Sequence, residues 1–179
     1  MMESLIAISK RYGSDVEYVI AGGGNTSAKN KDTLWVKASG VTLADIDGDG
    51  FVEMDRSQLT NLVDKDFGDD VNAREEHFKA HVMSARLHPE KGQRPSVECA
   101  LHNLVPATFV CHTHSTWANM LTCNTKGQDL VNSLFGDEAL WVPYVDPGFT
   151  LAKSLRKLLT EHRVRTGLLQ PRAIFMENH

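Results

Sequence analysis

His112-Thr113-His114 is the feature that most restricts what this chain can become. It closes an apolar run, Thr108-Phe109-Val110-Cys111, whose pattern predicts a strand ending at that point. Residues two apart on a strand face the same side, so both imidazoles can converge on one metal ion. Upstream, Pro95-Ser96-Val97-Glu98 opens a short predicted helix and brings a carboxylate within reach. The chain ends on Glu177-Asn178-His179, which supplies a third candidate ligand. Three neutral imidazoles with an open fourth position make a catalytic zinc site rather than a closed structural one.

The rest of the composition is consistent with one domain, 1–179, around such a site. A length of 179 residues with 41% hydrophobic content is enough to bury a sizeable core. The formal net charge of -4 and the lack of a basic run exclude nucleic acid as an expected partner. No apolar stretch approaches the length of a membrane span, and Met1-Met2-Glu3-Ser4 does not open a signal peptide. Cys99, Cys111 and Cys123 are odd in number and fit neither a disulfide framework nor a CxxC clasp. A reducing, cytoplasmic location is the expectation.

The pattern predicts helices over Ser4–Tyr12, Val71–Leu87, Ser96–Leu104, Thr116–Cys123, Asp129–Phe135 and Leu151–His162. Strands are expected over Asn25–Ala28, Leu34–Ala38, Phe51–Met54, Thr108–His112, Ala139–Val142 and Ala173–Met176. Asp55 is placed to cap a helix with Gln58 in the reciprocal position, and Ser96 to cap another. Strands close together in sequence suggest an antiparallel sheet, and the intervening helices suggest layers covering it. A final strand ending on a ligand suggests a chain truncated at its C-terminus.

Other motifs carry weaker chemistry. Gly22-Gly23-Gly24-Asn25-Thr26-Ser27 is neither a P-loop nor GxGxxG, but successive glycines can expose backbone N–H groups to an anion; a flexible turn is the plain alternative. Ala38-Ser39-Gly40 is a second small-residue turn after a strand. Glu98 is open to three readings: a ligand, a base beside the metal, or a first-turn carboxylate favoured by the helix dipole. Asp45-Ile46-Asp47-Gly48-Asp49-Gly50 imitates the start of a calcium loop, yet the twelfth position is Arg56 where a bidentate Glu is required, so an acidic turn is favoured. His77 and His81 lack the Glu of HExxH, since Phe78 holds that place.

Taken in order, Gly24-Asn25-Thr26-Ser27, Ala38-Ser39-Gly40, Pro95-Ser96-Val97-Glu98, His112-Thr113-His114 and Asn178-His179 resemble the class II aldolase/adducin family over nearly the whole length. Arg94–Cys123 and Val142–Phe149 are most similar to the aldolase half of bifunctional rhamnulose-1-phosphate aldolase/lactaldehyde dehydrogenases. The resemblance implies an α/β fold, a three-layer αβα arrangement with a mostly antiparallel central sheet. It also implies a Zn2+ cofactor, a homotetramer, a phosphorylated sugar substrate and, in a full-length parent, a dehydrogenase domain. By resemblance, His112, His114 and His179 are metal ligands, Glu98 is the catalytic carboxylate, and Gly24, Asn25, Ser39, Gly40 and Ser96 bind phosphate. Val97 stands where the family often has Ser, and no residue matches the family's acidic tyrosine. The implied activity is cleavage of a ketose 1-phosphate. The alternatives are an epimerase or dehydratase of the same family, or a non-catalytic adducin-like module.

Overall fold

The computed structural model describes all 179 residues. Four strands build an antiparallel sheet: β1 (Asn25–Lys29), β2 (Thr33–Lys37), β3 (Phe51–Asp55) and β4 (Phe109–His112), in the order β3-β2-β1-β4. Two further strands, β5 (Ala139–Val142) and β6 (Ala173–Met176), pair in parallel as a separate sheet. The helices are α1 (Met2–Gly13), α2 (Arg56–Leu62), α3 (Val71–Ser84), α4 (Cys99–Leu104), α5 (Thr116–Thr122), α6 (Gly127–Phe135) and α7 (Phe149–Thr166). No helix is long and apolar enough to cross a membrane.

The period-2 alternation of β2 separates two cores. Leu34 and Val36 face one side, where they meet Met54, Leu59, Phe78, Leu101 and Leu155 in the larger cluster. Trp35 faces the other side, against the smaller cluster of Leu5, Val19, Ala28, Leu43, Ile46 and Phe51. Helix α1 therefore covers one face and α2, α3, α4 and α7 supply the other, which is the expected three-layer αβα arrangement. The strand that matters most is β1. It lies between β2 and β4, and all five of its residues are buried although four of them are polar.

Several local expectations shift for identifiable reasons. Helix α3 ends at Ser84 rather than Leu87, because Arg86 bridges to Met54 and the Leu87 N–H donates to Glu53 O. Helix α4 starts at Cys99 rather than Ser96, because Pro95 bridges to Ala38 and the Ser96 N–H donates to Lys37 O. Asp55 does cap α2, accepting from the Ser57 and Gln58 N–H groups. Gln58 answers through its side-chain amide to Asp55 Oδ2, since the Asp55 N–H is already donated to Ala85 O. Asp47 caps the 3-10 turn Gly48–Gly50, in keeping with an acidic turn. The parallel β5–β6 pair is the main topological departure from a single antiparallel sheet; α7 makes the crossover between its strands.

Each of the two sheets keeps a free edge where they approach one another. Strand β4 pairs only with β1, and β6 only with β5. A groove of about 580 Å³ runs between them, with Phe109 and His112 on one bank and Ile174, Met176 and His179 on the other.

Candidate metal centre

His112 is the last residue of β4, in register with Asn25 of β1. His114 follows two residues on, and its Nε2 lies 3.0 Å from His112 Nε2. His179 comes from the other bank of the groove. Past β6, the Glu177 N–H donates to Val142 O at 2.9 Å and the Asn178 N–H to Thr122 O at 3.0 Å. Asn178 adopts φ 54°, a left-handed conformation that asparagine tolerates better than most residues, and so turns the chain inward. His179 Nε2 is thereby brought 3.2 Å from His112 Nε2.

The nitrogens of the three imidazoles lie within 4.8 Å of one another. Ligands held 2.0–2.1 Å from a tetrahedral zinc ion sit roughly 3.3 Å apart, so the spacing suits one small divalent cation. All-imidazole ligation suits zinc, copper, iron or nickel rather than magnesium or calcium. Burial lowers the pKa of His112 to about 4 and also lowers that of His114, which keeps both neutral with lone pairs available. His179 moves the other way, because its contact with the Glu98 carboxylate favours the protonated ring.

Glu98 occupies the N-cap of α4 and its side chain is only 10% exposed. Its Oε1 lies 3.0 Å from His179 Nε2 and its Oε2 lies 3.6 Å from His112 Nδ1. Asn25 Nδ2 donates to the same Oε2 at 2.5 Å. Burial alone would raise this carboxyl, but His179, His112 and Asn25 together hold it well below the usual carboxylate range. A buried, ionised carboxylate beside three converging imidazoles is a group able to accept a proton next to a metal ion.

The residues expected at the anion site fall into two linked pieces. Gly24 has φ +64°, and an added Cβ there would stand 2.9 Å from His112 O, so the glycine-rich turn packs directly behind the histidine strand. Asn25 is joined to Glu98 as described. Ser39 and Ser96 are brought side by side by backbone bonds, Ser39 N–H to Arg94 O at 2.8 Å and Ser96 N–H to Lys37 O at 3.0 Å. The Ser96 hydroxyl accepts from the Glu98 N–H at 3.3 Å, and Ser39 and Gly40 remain exposed.

Behind Glu98 stands a residue that the motif search did not single out. His102, one turn further along α4, is 2% exposed, and its Nδ1 lies 2.7 Å from Ser27 Oγ. Its carbonyl accepts from Lys29 Nζ at 2.7 Å. Burial drives the His102 ring down to about 3 and the Lys29 amine down to about 8. The signal was present in the sequence: Asn25-Thr26-Ser27-Ala28-Lys29 is too polar for an ordinary interior strand, so its side chains need polar partners from another element.

With this geometry established, comparison with known proteins is informative. Residues 3–179 match the family described as Class II Aldolase and Adducin N-terminal domain. The chain belongs to this family. The class II aldolase domain is 32% identical over 163 residues to a Bacillus subtilis (strain 168) protein named Uncharacterized oxidoreductase YuxG, a match covering 86% of this chain. It spans only 23% of that relative's length. It also resembles the N-terminal class II aldolase domain of a conserved protein from Thermoplasma acidophilum, with a TM-score of 0.81 and 27% identity over 99% of this chain and 80% of that one. YgbL from Escherichia coli, a putative aldolase/epimerase/decarboxylase, shares the fold at a TM-score of 0.60 and 20% identity, covering 99% of this chain and 74% of that chain.

Proposed function

We propose that this class II aldolase domain is a zinc-dependent aldehyde-lyase that cleaves a ketose 1-phosphate, of the rhamnulose 1-phosphate kind, to dihydroxyacetone phosphate and an aldehyde such as lactaldehyde. The observation that carries the reading is the convergence of His112, His114 and His179 beside an ionised, buried Glu98. The family match supports aldolase-type chemistry in general terms.

In this reading the three histidines hold the ion. A bound zinc supplies Lewis-acid stabilisation of the negative charge that develops on the substrate's carbonyl oxygen. Gly24, Ser39, Gly40 and Ser96 form the end of the site that receives phosphate, which fixes the reacting carbons relative to Glu98. When the C3–C4 bond breaks, its electron pair stays on C3, and the C4 hydroxyl gives up its proton to the Glu98 carboxylate as it becomes the aldehyde. Glu98 then gives that proton to C3 and ends as the carboxylate again. In the condensation direction the same carboxylate removes the proton from C3, and a positioned base of this kind is worth about 10²–10⁴-fold in rate.

The relative named as an oxidoreductase, of which this domain spans 23%, supports a setting in which the aldolase domain works beside a dehydrogenase domain. In that setting the aldehyde released by one would be oxidised by the other. The family resemblance also supports a homotetramer.

The test is metal analysis and turnover on one preparation. His112→Ala and His114→Ala are expected to lose the ion, and the wild-type domain to release dihydroxyacetone phosphate from rhamnulose 1-phosphate. Undiminished metal stoichiometry in both variants would remove the ligand assignment. A zinc-loaded wild-type domain that releases no dihydroxyacetone phosphate from any ketose 1-phosphate would remove the activity.

A further inference from the structure

The glycine-rich turn was expected to offer Asn25 to a phosphate, but the side chain is committed elsewhere. Asn25 is 6% exposed, its Nδ2 donates to Glu98 Oε2 at 2.5 Å, and its Oδ1 is buried without a partner. Flipping the amide would set Oδ1 against a carboxylate oxygen, acceptor facing acceptor, so the orientation is fixed by chemistry. A fully ionised phosphate group offers only acceptors, and therefore cannot satisfy that buried Oδ1. The register adds a second constraint, because Asn25 lies directly opposite His112 on the neighbouring strand. Donor, carboxylate and first metal-ligand candidate are thus set by one strand pair and the start of α4.

We propose that Asn25 is the positioning residue for Glu98, binding one carboxylate oxygen so that the other is held toward the histidine centre. The arrangement leaves Oε2 tied to the amide and Oε1 3.0 Å from His179 Nε2. A free glutamate side chain has several rotamers, most of which would carry the carboxylate away from the reacting carbon. A charge-assisted hydrogen bond from a buried, strand-borne amide selects one of them. The inference deepens the aldolase reading and rests on it only where Glu98 is said to move a proton; the Asn25–Glu98 coupling stands apart from it.

Two variants separate positioning from phosphate binding and from simple packing. Asn25→Ala removes the donor, and Asn25→Asp keeps the shape but sets a second carboxylate against Glu98. Correct folding is checked by the amide NMR fingerprint. Exchange of the C3 hydrogen of dihydroxyacetone phosphate with deuterated solvent follows proton removal without needing an aldehyde. Both variants are expected to lose about 100-fold or more in exchange rate at saturating ligand, the scale on which acid–base groups act. The affinity of the metal-free protein for inorganic phosphate, followed by 31P NMR, is expected to stay within about threefold, which corresponds to a small free-energy change.

A large loss of phosphate affinity with unchanged exchange at saturation would make Asn25 a phosphate ligand and overturn the proposal. So would an Asn25→Asp variant that exchanges like wild type, since that would make the residue a space-filler. If the wild-type domain exchanges nothing, the aldolase reading fails, and the coupling is then decided by the Asn25 side-chain amide resonance. That resonance is expected to move upfield in Glu98→Gln, where the charged acceptor is gone. No movement would overturn the proposal on structural grounds alone.

Discussion

His102 makes this protein's stability depend on pH by an amount that can be worked out. The ring is 2% exposed, it is held at Nδ1 by Ser27 Oγ, and burial lowers its pKa from 6.5 to about 3. In the unfolded chain the same side chain titrates at its ordinary value. Below pH 6.5 the unfolded state therefore binds a proton that the folded state refuses, and stability falls with pH until the folded ring itself protonates. From pH 7 to pH 5 the unfolded imidazole goes from about one-quarter to almost fully protonated, which costs the fold about 2 kcal/mol. The figure needs only that the folded value stay below about 4, so it does not depend on how much further the ring is depressed. The assay is urea denaturation of metal-free protein at pH 7, 6 and 5, for the wild type and for His102→Gln, which cannot titrate. His112 and His114 contribute slopes of the same sign and His179 one of opposite sign, but all three cancel in the difference between the two proteins. The stability advantage of the wild type is expected to shrink by about 2 kcal/mol across that range. Two parallel profiles, with a constant offset at every pH, would refute the buried neutral state of His102.

Three further outcomes follow from the geometry. Gly127→Ala places a Cβ 2.1 Å from Leu121 O and 2.7 Å from Trp141 Cη2; with backbone on one side it is expected to lose about 1–3 kcal/mol in thermal unfolding. Asp55→Ala strips the cap from α2, where the side chain accepts from the Ser57 and Gln58 N–H groups, and is expected to shift the urea midpoint by about 0.5–2 kcal/mol of stability. Zinc at a hundred times its dissociation constant is expected to stabilise the wild type by about 2.7 kcal/mol in calorimetry. His179→Ala, lacking one of the three imidazoles, is expected to gain much less at the same zinc concentration.

How much of this was visible in the sequence depends on the range over which each residue acts. Strands β5 and β6 match the expected spans, because short apolar runs between turn residues are local signals. Their parallel pairing was not visible, since it depends on how α7 packs rather than on either strand. The end of α3 and the start of α4 were misplaced for a related reason: Arg86 and Pro95 bridge to Met54 of β3 and to Ala38 just past β2, residues far away in sequence. His112 and His114 could be placed together from spacing, whereas the approach of His179 depends on the turn at Asn178 and on the docking of a second sheet. The resemblance named Asn25 and Glu98 separately. Only the fold shows that they touch, and that His102 stands behind them.

The split between the two sheets has a thermodynamic consequence. His112 belongs to the β1–β4 sheet and His179 follows the β5–β6 sheet, and no strand ladder joins the two. An ion held by both is therefore a cross-link between bodies otherwise coupled through side-chain packing, including Leu155 and Leu101 beneath the groove. Binding and docking then share a single equilibrium: part of the intrinsic affinity is spent in holding the sheets at the right separation. If the three histidines hold an ion as proposed, substitutions in the packing between the sheets are expected to change metal affinity without touching a ligand, and the bound ion is expected to protect those distant contacts from local opening.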